Sequence, residues 1–191
     1  MNKQAKRLAA LRKAMKNAGL DACIVPITDP HLGEYVPGHW RVIEWLTGFT
    51  GSAGTVVVTR NFAGLWTDSR YFIQAEQQLA GTGFDLVRLR IPHTPEYIEW
   101  IADNLKRGSA IGVDGRVLSI GLLKQLEKAV AGKKITVNLN VDLVTELWTD
   151  RPPLPLSGAF GHPLKYCGVA RADKISTVRE RMKVLGADLH L

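Results

Sequence analysis

Apolar positions recur at helical spacing at the start of the chain. Leu8, Leu11 and Met15, flanked by Gln4 and Ala18, form one stripe and six bases occupy the other faces, which predicts a helix over about 3–18. Gly19 suits the position just past its end. Cys23–Ile27 then reads as a short apolar strand. An irregular stretch, 28–38, leads to a short helix near 41–46 and a glycine-rich turn, Gly48–Gly54. Thr55–Thr59 and the stretch through Leu65–Thr67 are rich in β-branched or aromatic residues around Arg60-Asn61 and predict a hairpin. Asp68 is placed to cap a helix to about Leu79, with Phe72, Ala75 and Leu79 as its stripe.

The alternation continues. Strands are expected over 84–89, 110–113 and 135–139. Helices are expected with Thr94 as cap and Pro95 in the first turn, from a Ser119 cap to Gly132, and over 141–148. Six strands interleaved with helices, one pair joined as a hairpin, make an α/β domain with a mixed sheet over 1–150. Pro152, Pro153 and Pro155 then break any regular element, so 151–171 reads as a linker. Residues 172–191 repeat the opening of the chain at an offset of 167. Leu8/Ile175, Leu11/Val178, Met15/Met182, Gly19/Gly186 and Asp21/Asp188 correspond in type or identity, as the truncated start of a second copy would. The second stripe, Ile175, Val178, Met182 and Leu185, is expected to be covered by a neighbour.

Composition narrows the class. At 191 residues, 46% hydrophobic and 23% charged, the chain is an ordinary globular one. No run reaches the roughly 20 apolar residues of a membrane span, and the basic N-terminus has no apolar core of a secretory signal. Two cysteines, Cys23 and Cys167, make no disulfide framework and suggest a reduced, cytoplasmic setting. The net charge is +7, yet residues 1–20 carry +6, 151–191 carry +4, and the 130 residues between carry −3. A nucleic-acid groove would place its charge on the folded body, so neither a nucleic-acid nor a membrane partner is expected.

Candidate chemistry is sparse. The 48–54 loop lacks the Gly-Lys-Ser/Thr of a phosphate loop and feeds a strand rather than a helix. Asp29, His31, Glu34 and His39 are ligand types crowded in one loop, but at no compact metal-site spacing. Nucleophile elbows and zinc-protease motifs are missing. Arg70 is unusual, a cation in the first turn of a helix, where the dipole disfavours it. It either pairs with Asp68 or another acid, or points from the sheet edge to bind a carbonyl or carboxylate.

Three segments, Asp29-Pro30-His31-Leu32-Gly33-Glu34-Tyr35, Gly48-Phe49-Thr50-Gly51-Ser52-Ala53-Gly54-Thr55 and Trp66-Thr67-Asp68-Ser69-Arg70-Tyr71-Phe72, resemble the N-terminal domain of the Xaa-Pro aminopeptidase (aminopeptidase P) family. Trp148-Thr149-Asp150-Arg151-Pro152 and His162-Pro163-Leu164-Lys165-Tyr166 resemble its passage into a second domain. The match is to the three-domain, cytosolic-type branch, with Gly33 where serine is expected. The resemblance implies a creatinase-type, ribonuclease-H-like fold shared by the first two domains. It also implies a homodimer acting on peptides with proline second, and a third domain in which two manganese ions activate a hydroxide. No ligand of that centre can be placed here, so catalytic, metal and cofactor residues are expected to be absent from this stretch. Its implied role is to wall the active-site cleft, with His31, Glu34 and Arg70 facing the substrate. A stand-alone peptidase-like module that binds protein partners is the alternative.

Overall fold

In the computed structural model, which describes residues 2–190, the chain divides into two compact units, up to Pro155 and from Leu156 onward. The first unit opens with α1 (Lys3–Asn17), capped by the Asn2 side chain, which accepts from the Ala5 amide at 2.8 Å. Leu8, Leu11 and Met15 are buried as its stripe requires, while Gln4 is half-buried and Ala18 exposed. Gly19, at φ +67°, ends the helix. The Gly19 amide donates to the Lys16 carbonyl and that of Leu20 to Met15 at 2.9 Å, a closure that needs a left-handed residue.

The sheet comprises β1 (Ala22–Pro26), β2 (Thr55–Thr59), β3 (Ala63–Thr67), β4 (Asp85–Arg88), β5 (Ala110–Val113) and β6 (Thr136–Asn138), in the order β4-β3-β2-β1-β5-β6. β2 alone runs antiparallel to its neighbours. Between the strands come α2 (Val42–Thr47), α3 (Phe72–Leu79), α4 (Glu96–Asn104) and α5 (Ile120–Val130). Strand alternation divides the core. Cys23, Val25, Val56, Val58 and Leu65 pack with residues of α1, α2 and α3, while Ile24, Val57 and Trp66 pack with residues of α4 and α5. Both faces of the central strands are therefore covered, and Val56–Val58 read as an unbroken apolar run for that reason. The expected six-stranded mixed sheet with flanking helices is the one observed.

Five local expectations are corrected. Residues 141–148 do not form a helix. The Asp142 carboxylate accepts from the Val144 and Thr145 amides at 3.1 and 2.9 Å and from the Thr145 hydroxyl at 2.6 Å, winding the chain into a turn. Asp68 caps a 3-10 turn, Ser69–Tyr71, ahead of α3 rather than α3 itself. Pro95 occupies the cap position of α4, not its first turn, and the Thr94 hydroxyl donates backwards to the Ile91 carbonyl. β6 and α5 are shorter than expected, α5 passing at Ala131 into a 3-10 turn through Lys133.

The second unit holds α6 (Leu164–Cys167) and α7 (Arg171–Leu185). Gly186 (φ +62°) and Ala187 close α7 through the Lys183 and Met182 carbonyls, the same pair of bonds as at Gly19 and Leu20, 167 residues earlier. Of the stripe expected to be covered, Ile175, Val178 and Leu185 are exposed and Met182 is half-buried. No described helix is long and apolar enough to cross a membrane.

Candidate functional site

Because β1, β3, β4, β5 and β6 run parallel, the loops that follow them leave from one end of the sheet. His31, Glu34 and Arg70 all sit on those loops. In the first, Asp29 is buried and its Oδ1 accepts from the His31 and Gly33 amides at 2.9 and 3.1 Å. That turn holds Leu32 at φ 53° and leaves the His31 and Glu34 side chains exposed. Glu34 lines a hollow with Arg41, Glu44, Phe49 and Ser52.

The glycine-rich loop is tied to α3. The Thr50 amide donates to Gln78 Oε1 at 3.0 Å, and its hydroxyl accepts from Gln74 and Gln78 at 2.9 Å. A Cβ on Gly51 would lie 2.2 Å from the Phe49 ring, so only glycine lets the loop fold over that side chain. Phe49 meets Tyr71 edge to face at 5.7 Å, and the Tyr71 and Ser52 hydroxyls are 2.6 Å apart. This loop is a turn packed against Phe49, Tyr71 and α3.

Arg70 and Asp68 form a fork. Asp68 is buried at the end of β3. Its Oδ1 accepts from the Arg70 amide at 3.1 Å and Nε at 2.8 Å, and its Oδ2 from Nη2 at 2.7 Å. These bonds, the side-chain one first, hold the Asp68 carboxyl below its ordinary value. The pairing reading of Arg70 is thus realised, with the guanidinium still more than half exposed (57%). One edge of the fork is anchored and Nη1 remains outside the pair. Beside it a second hollow is lined by Ser52, Thr67, Asp68, His93 and Tyr97. No hydrogen bond among the described residues joins His31, Glu34 and Arg70 to one another.

Sequence reasoning missed two features of this end. The first is Glu96, which accepts from the Arg90 and Ile91 amides at 2.8 and 3.0 Å and so fixes the loop after β4. The second surrounds Trp40, where Arg116 with Asp114, Asp142 and Arg151 converge from three other places in the chain. His39, counted above among the ligand types, instead places Nδ1 2.8 Å from the Pro152 carbonyl. Only the motif Trp148-Thr149-Asp150-Arg151 hinted at the second cluster, since its partners are distant in sequence.

No three His, Cys, Asp or Glu side chains converge on a common point among the described residues. The residues of this stretch therefore do not fit a two-metal centre, and no reaction step is derived through one. What remains is an α/β domain whose mixed sheet carries, at the end with the loops after β1 and β3, Arg70 and two hollows. The chain belongs to the creatinase/prolidase N-terminal domain family, which it matches over residues 7–141. It is 40% identical over 178 residues to aminopeptidase P1 of Lotus japonicus, covering 92% of this chain and 27% of that protein. Xaa-Pro aminopeptidase 2 of Homo sapiens is 36% identical, with 92% and 26% covered. The chain thus spans about a quarter of the length of these curated relatives. A crystal structure of X-prolyl aminopeptidase from Caenorhabditis elegans, described as a cytosolic enzyme with a di-nuclear active site, superposes with a TM-score of 0.85. Identity there is 29%, over 98% of this chain and 32% of that one.

Proposed function

We propose that this chain is the N-terminal, non-catalytic part of a manganese-dependent Xaa-Pro aminopeptidase, a cytoplasmic homodimer that removes the first residue of peptides with proline second. In this reading the loop end of the sheet walls the catalytic cleft, with His31, Glu34 and Arg70 toward the substrate, and residues 172–191 begin a second domain of the same fold. One observation carries it. Among residues 2–150 the exposed large apolar side chains, Leu32, Tyr35, Ile73, Ile91 and Ile120, all lie at the end that also holds the two hollows and Arg70. Apolar side chains gathered on one side of a domain mark a surface that another body covers. The similarity to aminopeptidases over nearly all of this chain supports the choice of body, and the repeated helix closure at Gly19 and Gly186 supports the second domain.

Arg70 gives the test. In the enzyme that joins this segment to a catalytic domain, Arg70→Ala and Arg70→Lys should each lower kcat/KM for an Xaa-Pro-Yaa peptide about tenfold or more through lost positioning. The segment by itself with Mn²⁺ should release no amino acid. Normal kinetics in folded variants, or cleavage by the isolated segment, would overturn the reading.

A further inference from the structure

The opposite end of the sheet has a different chemistry. There β1, β5 and β6 begin and β2 turns into β3. Across these neighbouring strands stand Arg60 beside β2, Lys13 and Lys16 at the end of α1 beside β1, Lys106 and Arg107 before β5, and Lys133 and Lys134 before β6. Backbone bonds hold the segments side by side: the Asp21 amide donates to the Ala110 carbonyl at 2.8 Å and that of Gly108 to Lys133 at 2.9 Å. Arg12 joins them, its Nε donating to the Thr59 carbonyl at 3.0 Å.

These cations are not neutralised. None of the eight is ion-paired among the described residues, whereas the arginines that are paired, Arg41, Arg70, Arg88, Arg90, Arg116 and Arg151, all lie at the loop end. Lys133 is spent on the Asp103 and Leu105 carbonyls, and Lys13, Lys16, Arg60, Lys106, Arg107 and Lys134 are exposed. The acids nearby are few. Asp21 accepts from the Ala110 amide, and Asp103 and Asp85 stand at the ends of α4 and β4. Unpaired like charges summed along one edge produce a field that reaches about a Debye length, roughly 8–10 Å, into solvent.

We propose that this edge is a docking surface for an acidic, extended polypeptide segment. Neighbouring strands are about 4.8 Å apart, so the row from Arg60 to Lys134 crosses three intervals, or about 14 Å. An extended chain presents same-face side chains about 6.8 Å apart, so three alternating carboxylates match that length. Between Arg12, Lys16 and Arg60 lies an open hollow floored by Met15 and Leu20, suited to a backbone laid across it. Other polyanions fit less well. The exposed aromatic side chain of this unit, Tyr35, is at the loop end, so no ring is offered for stacking bases. Within this unit, the exposed large apolar side chains that could enter a bilayer are also at the loop end, apart from Leu154 in the exit segment. The surface is independent of the aminopeptidase assignment, which concerns the other end.

The test is fluorescence anisotropy of the 191-residue chain with a fluorescein-labelled peptide of alternating glutamate and threonine, at low and high salt. Binding should weaken with salt. It should fall about tenfold or more in Lys16→Glu/Arg60→Glu, and equally in Arg107→Glu/Lys134→Glu should the first pair fail to fold. Lys174→Glu/Lys183→Glu removes the same charge from α7 and should keep the affinity within about twofold. Three results would each refute the proposal: no binding, equal loss in the α7 control, or tighter binding of a single-stranded oligonucleotide of equal charge.

Discussion

The Arg151 guanidinium lies over the indole of Trp40, 5.4 Å from the ring centroid, and joins the exit of the sheet domain to the turn before α2. It is one rung of a continuous stack. Arg7 covers Trp45 at 4.4 Å, Trp45 lies against Trp148 at 5.3 Å and 17°, and Arg151 spans Trp148 and Trp40 at 5.7 and 5.4 Å. Arg116 also meets the Trp40 ring, at 5.0 Å. The Arg116 proton is held more tightly than usual by its bond to Asp114, so the ladder ends on a fixed charge.

Arg151→Ala should destabilise the domain by about 2–3 kcal/mol in chemical denaturation, because a buried guanidinium bonded to the His39 carbonyl and Thr145 hydroxyl at 2.8 and 2.7 Å is lost. Arg151→Lys should recover little, since an ammonium cannot lie flat between two indoles. A lysine variant of wild-type stability would contradict the ladder.

Asp68 sets an acid sensitivity. Its pKa in the folded chain is below the ordinary 3.8, so the unfolded chain takes up the proton first as pH falls. The stability it contributes is complete well above pH 4, and is lost as the pH drops through 3.8 toward the lower folded value. Asp68→Asn should lower the melting temperature at pH 7 and shrink the difference from wild type below pH 3. A constant difference across that range would show that the charge is not the cause.

The two thiols should differ in reactivity. Burial pushes Cys23 up to about 12, leaving almost no thiolate at neutral pH, whereas Cys167 is partly exposed. Mass spectrometry after native iodoacetamide treatment should show a single adduct, on Cys167, and a second only after denaturation. Labelling of Cys23 in the folded chain would refute this.

Gly64 in β3 has no room for a side chain, since a Cβ there would lie 2.5 Å from the Phe62 ring and 3.1 Å from Val87. Phe62 itself packs on Trp66 and Trp100 at 5.8 and 4.4 Å and cannot retreat freely. Gly64→Ala should therefore cost about 1–3 kcal/mol of unfolding free energy. Unchanged stability would mean the aromatic cluster is looser than its geometry.

Much of this protein is written locally in its sequence. The stripe Leu8, Leu11, Met15 and the closure at Gly19 depend on residues within a few positions, and so do the β-branched run of β2 and the Ser119 cap, whose Oγ accepts from Leu122 at 3.2 Å. Alternation and capping act over single turns, so the strands, most helices and the mixed sheet could be read before any contact was known. The resemblance likewise singled out the segments that hold Asp29, Asp68 and Arg70 as those of one family. The turn at Asp142 defeated that local reading. Val141–Trp148 has a helix-like pattern, but the Asp142 carboxylate captures the Val144 and Thr145 amides and its other oxygen meets Arg116 at 2.6 Å.

Partner choice was decided only in three dimensions. Nothing within a few residues of Arg151 specifies Trp40, 111 positions away, and nothing near Arg60 specifies Lys134. Whether Arg70 turned to Asp68 was left open by a spacing that suits both pairing and display. The parallel register put the apolar and ion-paired loops at one end of the sheet and the unpaired cations at the other. Side-chain periodicity is a property of one element, whereas charge pairing and exposure depend on which elements the sheet brings side by side.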